Sequence, residues 1–415
     1  MKVLKLSSYY YPEDIASSYL GQNLREAYAK EGIETAVYAP VPSRGITDEQ
    51  RNYYKEHRDE VALDGMLHVH RFSLWKEGRN PVGRAFRYFV QCCKHYYFGV
   101  HSKDAKTADI VMCSSTPPII GVVAALIKKR TGRPWVYDLQ DIFPDSLVGT
   151  GMTHKGSLLW KIGRGIENFT YRHADKIIVI SEDFKKNIMA KGVPEEKIEV
   201  IYNWVDQDAV VDVPREENKL FDKYGLDRGK FFVTYNGNIG LTQNMDMLLD
   251  VAEDFQVSQP DIEFVLVGEG AYLENVTRTV REKGLNNVHL LPFQPYEDIS
   301  HVFSLGDVSL VISKPGVGAN SVPSKTWSIM SASRPVLANF DPNELKTIIE
   351  NNHCGIFTPA GDKDAFKNAI LKLYENPEMC REYGKNGREF ILKNLTKEVG
   401  TRKYVEVIKS AIEHQ

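Results

Sequence analysis

SKPGVGANSVPSKTWSIMSASRPVL, residues Ser313 to Leu337, decides the reading of this chain. It follows a five-residue apolar run, Val308–Ile312, and ends inside a second short run, Pro335–Ala338. The pattern predicts strand, Gly/Ser/Pro loop, helix from about Ser324, then strand. A loop of small residues opening a helix gathers free backbone N–H groups beside the positive end of the helix dipole, which suits an anion. Lys325 falls in the first helical turn, where a cation opposes that dipole. A bound diphosphate removes the misfit. A solvated surface lysine after an ordinary loop is the plainer alternative.

Outward from this unit, short apolar runs alternate with longer helical patterns along nearly the whole chain. Before it come Val3–Leu6, Thr35–Tyr38, His68–Phe72, Ile110–Cys113, Trp135–Tyr137, Ile177–Ile180 and Val200–Ile201. Then follow Phe231–Tyr235, Glu263–Val267 and Val288–Leu291, and after Pro335–Ala338 comes Ile356–Phe357. Such alternation predicts parallel sheets covered by helices on both faces. At 415 residues the chain is too long for one ordinary core. The pattern lapses into polar residues near Asp206–Tyr224, and the boundary is placed there, giving domains 1–206 and 207–394. Each is expected to be doubly wound, with its ligand at the carboxyl ends of its strands.

Composition excludes several classes. A net charge of −3 argues against a nucleic-acid binder driven by bulk charge. Five cysteines without C-x-x-C spacing argue for reduced thiols in a cytoplasmic setting, against both disulfides and zinc. The N-terminus, MKVLKLSSYYYPE, reads as a first strand rather than a signal peptide, and Ile110–Ile127 is too interrupted to span a bilayer. No G-x-G-x-x-G follows the first strand, so a nicotinamide enzyme is not expected. The expectation is a soluble or peripheral protein.

Other candidate contacts sit at strand ends. Asp14 and Ser17 open the first helix, as substrate contacts or caps. Asp138, Asp141 and Asp145 follow Trp135–Tyr137, where carboxylates can accept sugar hydroxyls or act as bases. Gly237, Asn238 and Gly240 form a second tight strand-to-helix turn, and Gly268, Glu269 and Gly270 a third. The Phe293–Tyr296 loop borders the same edge, and Tyr296 can face a nucleobase. Between Arg71 and Lys106 lie eight Lys/Arg against two acids, interleaved with aromatics. That stretch reads as an interfacial membrane contact or as a helix whose rings are core.

Taken in order, YYYPED, DLQDIFPDS, SEDFKK with GVPEEKIEVIYNWVD, YNGNIG, LVGEG and VPSKTWSIMSASRPVLA are similar to the family 4 glycosyltransferases. More narrowly the chain resembles the N-acetyl-L-fucosamine transferase branch of bacterial surface-polysaccharide synthesis. The resemblance implies two Rossmann-like domains facing across a cleft, the GT-B fold, with a closing helix at about 395–415 returning to the first domain. It implies retaining transfer of a sugar, an N-acetylated amino sugar in that branch, from a UDP-sugar. The acceptor is a saccharide, lipid-linked, at the inner face of the cell membrane; no cofactor or metal is required, and no nucleic acid takes part. The family's diphosphate-binding Arg and Lys correspond to Asn238 and Gln243, and its glutamate pair to Asn320 and Ser328. Lys325 and Lys314 then take over the diphosphate, with amides of Gly237–Gly240 and Gly316–Lys325. Ser321, Ser324 and Gln294 complete the expected donor contacts, while Asp14, Ser17, Asp138, Arg84 and Arg87 are expected at the acceptor. Asp141 and Lys325 are the expected catalytic groups. A UDP-sugar epimerase of the same fold and a non-catalytic nucleotide-sugar-binding protein are the alternatives.

Overall fold

The computed structural model describes residues 1–13, 18–78, 80–149, 153–318 and 322–413. The chain divides into two compact units: residues 1–202 with 398–415, and residues 203–397.

The first unit is built on eight strands: β1 (Lys2–Leu6), β2 (Glu34–Pro40), β3 (Asp59–Ala62), β4 (Leu67–Phe72), β5 (Ile110–Ser114), β6 (Trp135–Leu139), β7 (Lys176–Val179) and β8 (Ile198–Val200). Their order is β3-β4-β2-β1-β5-β6-β7-β8. All pairings are parallel except β3 with β4. Parallel strands are covered on both faces, which is why β5 and β6 read as near-continuous apolar runs. Helices Pro81–His101, Ile120–Thr131 and Leu158–His173 lie side by side over one face. They approach closely because glycines sit at the crossings: a Cβ on Gly99 would lie 2.3 Å from Ile127 Cδ1, and one on Gly121 2.3 Å from Thr170 Cγ2. The antiparallel edge strand β3 has no counterpart among the expected strands. Its four residues, DEVA, are too short and too polar to carry an alternating signal.

The closing helix, Lys397–Glu413, belongs to this unit from residue 398 onward. Its buried Tyr404 donates a hydrogen bond from Oη to Asp138 Oδ1 at 3.1 Å, and Lys409 lies 3.7 Å from Glu31.

The second unit has six strands: β9 (Phe231–Asn236), β10 (Ile262–Val267), β11 (Val288–Leu291), β12 (Val308–Ile312), β13 (Val336–Phe340) and β14 (Gly355–Pro359). All are parallel, in the order β11-β10-β9-β12-β13-β14. The chain runs outward from β9 to β11, then restarts beside β9 with β12. That reversal opens a crevice beyond the carboxyl ends of β9 and β12, the place where open α/β sheets bind ligands. The corresponding reversal in the first unit lies between β1 and β5. Both units are thus doubly wound α/β sheets, and among the described residues no helix is long and apolar enough to cross a membrane.

Tyr404→Phe removes one donor from a buried carboxylate. We expect it to cost about 1–3 kcal/mol, read by thermal unfolding as a midpoint several degrees lower with secondary structure unchanged.

Candidate functional site

Beyond the ends of β9 and β12 lies a cavity of about 100 Å³ whose lining includes Tyr235, Thr242, Gln243, Ser313, Lys325 and Phe340. Helix Lys325–Ser331 starts at its rim without a side-chain cap. The Lys325 Nζ lies 3.7 Å from the centroid of the Tyr235 ring, close enough for a cation–π contact. A Cβ on Gly237 would sit 3.1 Å from that nitrogen, so glycine leaves it room. No carboxylate among the described residues pairs with Lys325, and burial alone pushes its pKa down to about 7. Nearby polar groups are also unmet. The buried Ser313 Oγ has no hydrogen-bond partner, nor do Thr326 Oγ1 or either amide atom of Asn236. Buried polar atoms are normally paired, and of these Ser313 lines the cavity itself, which suits a ligand there.

The backbone supplies less than the sequence suggested. In the turn after β9, the Gly237 amide donates to Val267 O at 2.9 Å and the Ile239 amide to Glu269 O at 2.8 Å. The Gly240 amide donates to Gln243 Oε1 at 2.9 Å. The expected cradle at Gly237–Gly240 is therefore largely consumed by the fold. Gly268 and Gly270 have φ of 150° and 156°. A Cβ on them would fall 2.0 Å from Gly237 O and 2.3 Å from Ile239 O, so close packing of the two turns accounts for both glycines. Glu269 is exposed, and Asn238 O accepts from Tyr235 Oη at 2.7 Å. After β12, the amides of Gly316 and Gly318 are taken by Asp341 Oδ1 and Oδ2, at 3.0 and 2.7 Å. Lys314 Nζ stands 5.4 Å from the Tyr272 ring centroid. Ser324 is exposed and Ser328 half-buried. Asn320 and Ser321 lie outside the described residues.

Gln294 is a correction. It is buried, its Oε1 accepting from Lys223 at 2.9 Å and its Nε2 donating to Tyr224 Oη and Pro292 O. Its amide braces its own loop and is not free for a donor. Tyr296 and Phe293 on that loop are exposed.

In the first unit two expected acceptor contacts are likewise absorbed. Asp138 is buried and accepts from Ser114 at 2.8 Å, Gln140 at 2.6 Å and Tyr404 at 3.1 Å, with Lys5 Nζ 3.9 Å away. A carboxylate with its lone pairs so occupied organises the sheet. Arg87 is buried, donating from Nε to Trp75 O at 3.0 Å and from Nη2 to Ser43 Oγ at 3.1 Å. Arg84 is exposed and its Nε lies 3.1 Å from Glu77 Oε1. Asp141 is exposed, yet desolvation by the surrounding protein holds its carboxyl above the usual aspartate range. Asp145 pairs with Arg164 at 3.0 Å and Lys191 at 2.8 Å. Asp14 and Ser17 lie outside the described residues. Glu13, which the sequence did not single out, is buried beneath the edge. It accepts amides from Ser43 at 2.7 Å, Arg44 at 2.9 Å and Tyr10 at 3.3 Å, and burial raises its pKa despite them.

Comparison with known proteins fits this geometry. The chain is 26% identical over 291 residues to the probable glycosyltransferase WbjE of Pseudomonas aeruginosa, covering 70% of this chain and 72% of WbjE. It is 23% identical over 287 residues to the alpha-galactosylglucosyldiacylglycerol synthase of Streptococcus pneumoniae, covering 68% and 71%. In fold it resembles Anabaena HepE, solved in complex with UDP, with a TM-score of 0.74 at 18% identity over 99% of this chain and 100% of that one. A sequence profile of the glycosyl transferase 4-like domain matches residues 18–204, and one of glycosyl transferases group 1 matches residues 216–390. With both halves matched in order by glycosyltransferase profiles, the chain belongs to glycosyltransferase family 4, and the likeness to HepE shows the GT-B fold.

Proposed function

We propose that this glycosyltransferase moves a sugar, an N-acetylated amino sugar by its branch resemblance, from a UDP-sugar to a lipid-linked saccharide in surface-polysaccharide synthesis. Transfer proceeds with retention. The observation that carries the reading is Lys325, a cation without a counter-ion among the described residues at the crevice between β9 and β12. An anionic leaving group placed there restores the missing charge. UDP in HepE and the glycolipid product named for the pneumococcal synthase support the choice of nucleotide and of a lipid-borne acceptor.

In the mechanism we envisage, the acceptor hydroxyl attacks the anomeric carbon from the side on which the diphosphate departs. The glycosidic bond to the diphosphate breaks as the new one forms, and the departing phosphate oxygen takes the hydroxyl proton. Lys325 stabilises charge growing on that oxygen, while Asp141 orients a sugar hydroxyl. No cofactor or metal is assigned a role. The acceptor's lipid is reached at an anionic bilayer. Phe86 and Phe89 are exposed on helix Pro81–His101, and Trp75 is stacked on Phe86 at 5.7 Å, rings suited to a membrane interface.

Three outcomes check the reading. Folded Lys325 holds its proton only below about pH 7, against about 10.5 for a free lysine. Between those values the unfolded chain binds more protons, so this group makes the free protein more stable as pH rises. A diphosphate reverses the shift. We therefore expect UDP binding at pH 8.5 to take up close to one proton, measured from calorimetric heats in buffers of different ionisation enthalpy. Lys325→Met is expected to abolish the uptake and to lower turnover by roughly 100-fold; full activity in that variant sinks the role of Lys325. Incubation with a panel of UDP-sugars and polyprenyl-linked acceptors, with the product anomer read by NMR, is expected to give an axial-to-axial or equatorial-to-equatorial outcome. Conversion of the donor alone would favour an epimerase. Finally, Phe86→Ser with Phe89→Ser is expected to lower sedimentation with anionic liposomes several-fold, without changing the unfolding midpoint.

A further inference from the structure

The loop after β12 has the shape of an anion nest, yet the fold has filled it from within. Asp341, just past β13, accepts from the amides of Gly316 and Gly318 at 3.0 and 2.7 Å. The Lys314 amide donates to Thr242 O at 2.8 Å and that of Val317 to Lys314 O at 3.3 Å. Across the crevice, the amides of Gly237 and Ile239 are equally engaged. An incoming phosphate thus finds these amides already engaged. Two side chains on the cavity wall are open to it: among the described residues the Lys325 ammonium has no carboxylate partner and the Ser313 hydroxyl no hydrogen-bond partner. Ser313 is only 4% exposed, and its oxygen takes no hydrogen bond from the fold. The wall is also tailored to that oxygen. A Cβ on Gly318 would lie 2.8 Å from Ser313 Oγ and 2.5 Å from Phe340 Cε1, so glycine leaves just the room the hydroxyl occupies.

We propose that Ser313 is a further phosphate-binding residue of the donor site, its hydroxyl donating to a phosphate oxygen that Lys325 also contacts. The two groups form a side-chain grip in place of the backbone nest that Asp341 occupies. The identity of the nucleotide rests on the UDP-sugar reading above; the grip on phosphate does not. A hydroxyl that finds its acceptor only in the complex makes a distinctive demand. Its loss should leave the free protein as stable as before, or more so, because an unpaired buried hydroxyl costs free energy that alanine does not. A hydrogen bond to a charged group contributes more than one between neutral groups.

The test is calorimetry at pH 6.5 with UDP, uridine and inorganic pyrophosphate, on the wild type and Ser313→Ala, alongside thermal unfolding without ligand. We expect Ser313→Ala to weaken UDP and pyrophosphate by roughly 10-fold or more. Uridine binding and the unfolding midpoint are expected to hold or, for the midpoint, to rise. If the wild type binds UDP and Ser313→Ala binds it equally well, the assignment of Ser313 is overturned while the donor reading stands. A clear drop in the midpoint also overturns it, since the hydroxyl would then serve the fold. If the wild type ignores UDP and uridine but takes pyrophosphate with the same loss in Ser313→Ala, the grip stands and the uridine reading fails. Indifference of the wild type to all three overturns both.

Discussion

A lysine ammonium resting on a tyrosine ring, without a counter-ion among the described residues, is the constraint around which the second unit is arranged. The Coulomb and solvation cost of burying such a charge is steep unless something compensates it. Tyr235 compensates in part through its ring face, which Lys325 approaches to 3.7 Å. The remainder falls on the proton, which leaves near pH 7. A fold selected for stability alone would have set a carboxylate there. Asp341 stands on an adjoining loop, but both its oxygens are spent on backbone amides. The free protein therefore keeps an incomplete charge where the strand order reverses.

The turns around that charge hold one another. The β9 turn and the β10 turn exchange amide and carbonyl groups through Gly237, Val267, Ile239 and Glu269, at separations only glycine at positions 268 and 270 permits. Preorganisation of this kind holds a site's geometry before the ligand arrives. It also means that a glycine-rich turn is no proof of a phosphate cradle. Here the missing side chains make room for protein backbone.

The first unit applies buried polar groups differently. Asp138 ties β5, β6 and the closing helix together through Ser114, Gln140 and Tyr404. Glu13 and Arg87 anchor neighbouring loops by binding amides, a carbonyl and a hydroxyl. These charges give shape to the edge and are satisfied within it. Asp141 differs from them in being exposed with a raised pKa, although it too is bonded, to Ser146 and the Ile142 amide.

The strand and helix alternation, the two doubly wound sheets and the position of Lys325 in the first turn of the helix after β12 were all legible in the sequence, because they follow from local hydrophobic period and loop composition. Thirteen expected strands are present, with ends shifted by a residue or two, and among the described residues only the short polar β3 escaped. The site was legible to the level of loops and not of atoms. Glu13, Asn236, Ser313 and Asp341 carried no pattern to single them out, while Asp138, Arg87 and Gln294 looked available and are not. The physical reason is the same in each case. Whether a polar group is free depends on partners brought from distant segments, such as Asp341 to Gly316 or Tyr404 to Asp138. Periodicity within a segment determined which elements form, and the tertiary packing between segments decided which of their hydrogen-bonding groups remain unspent for a ligand.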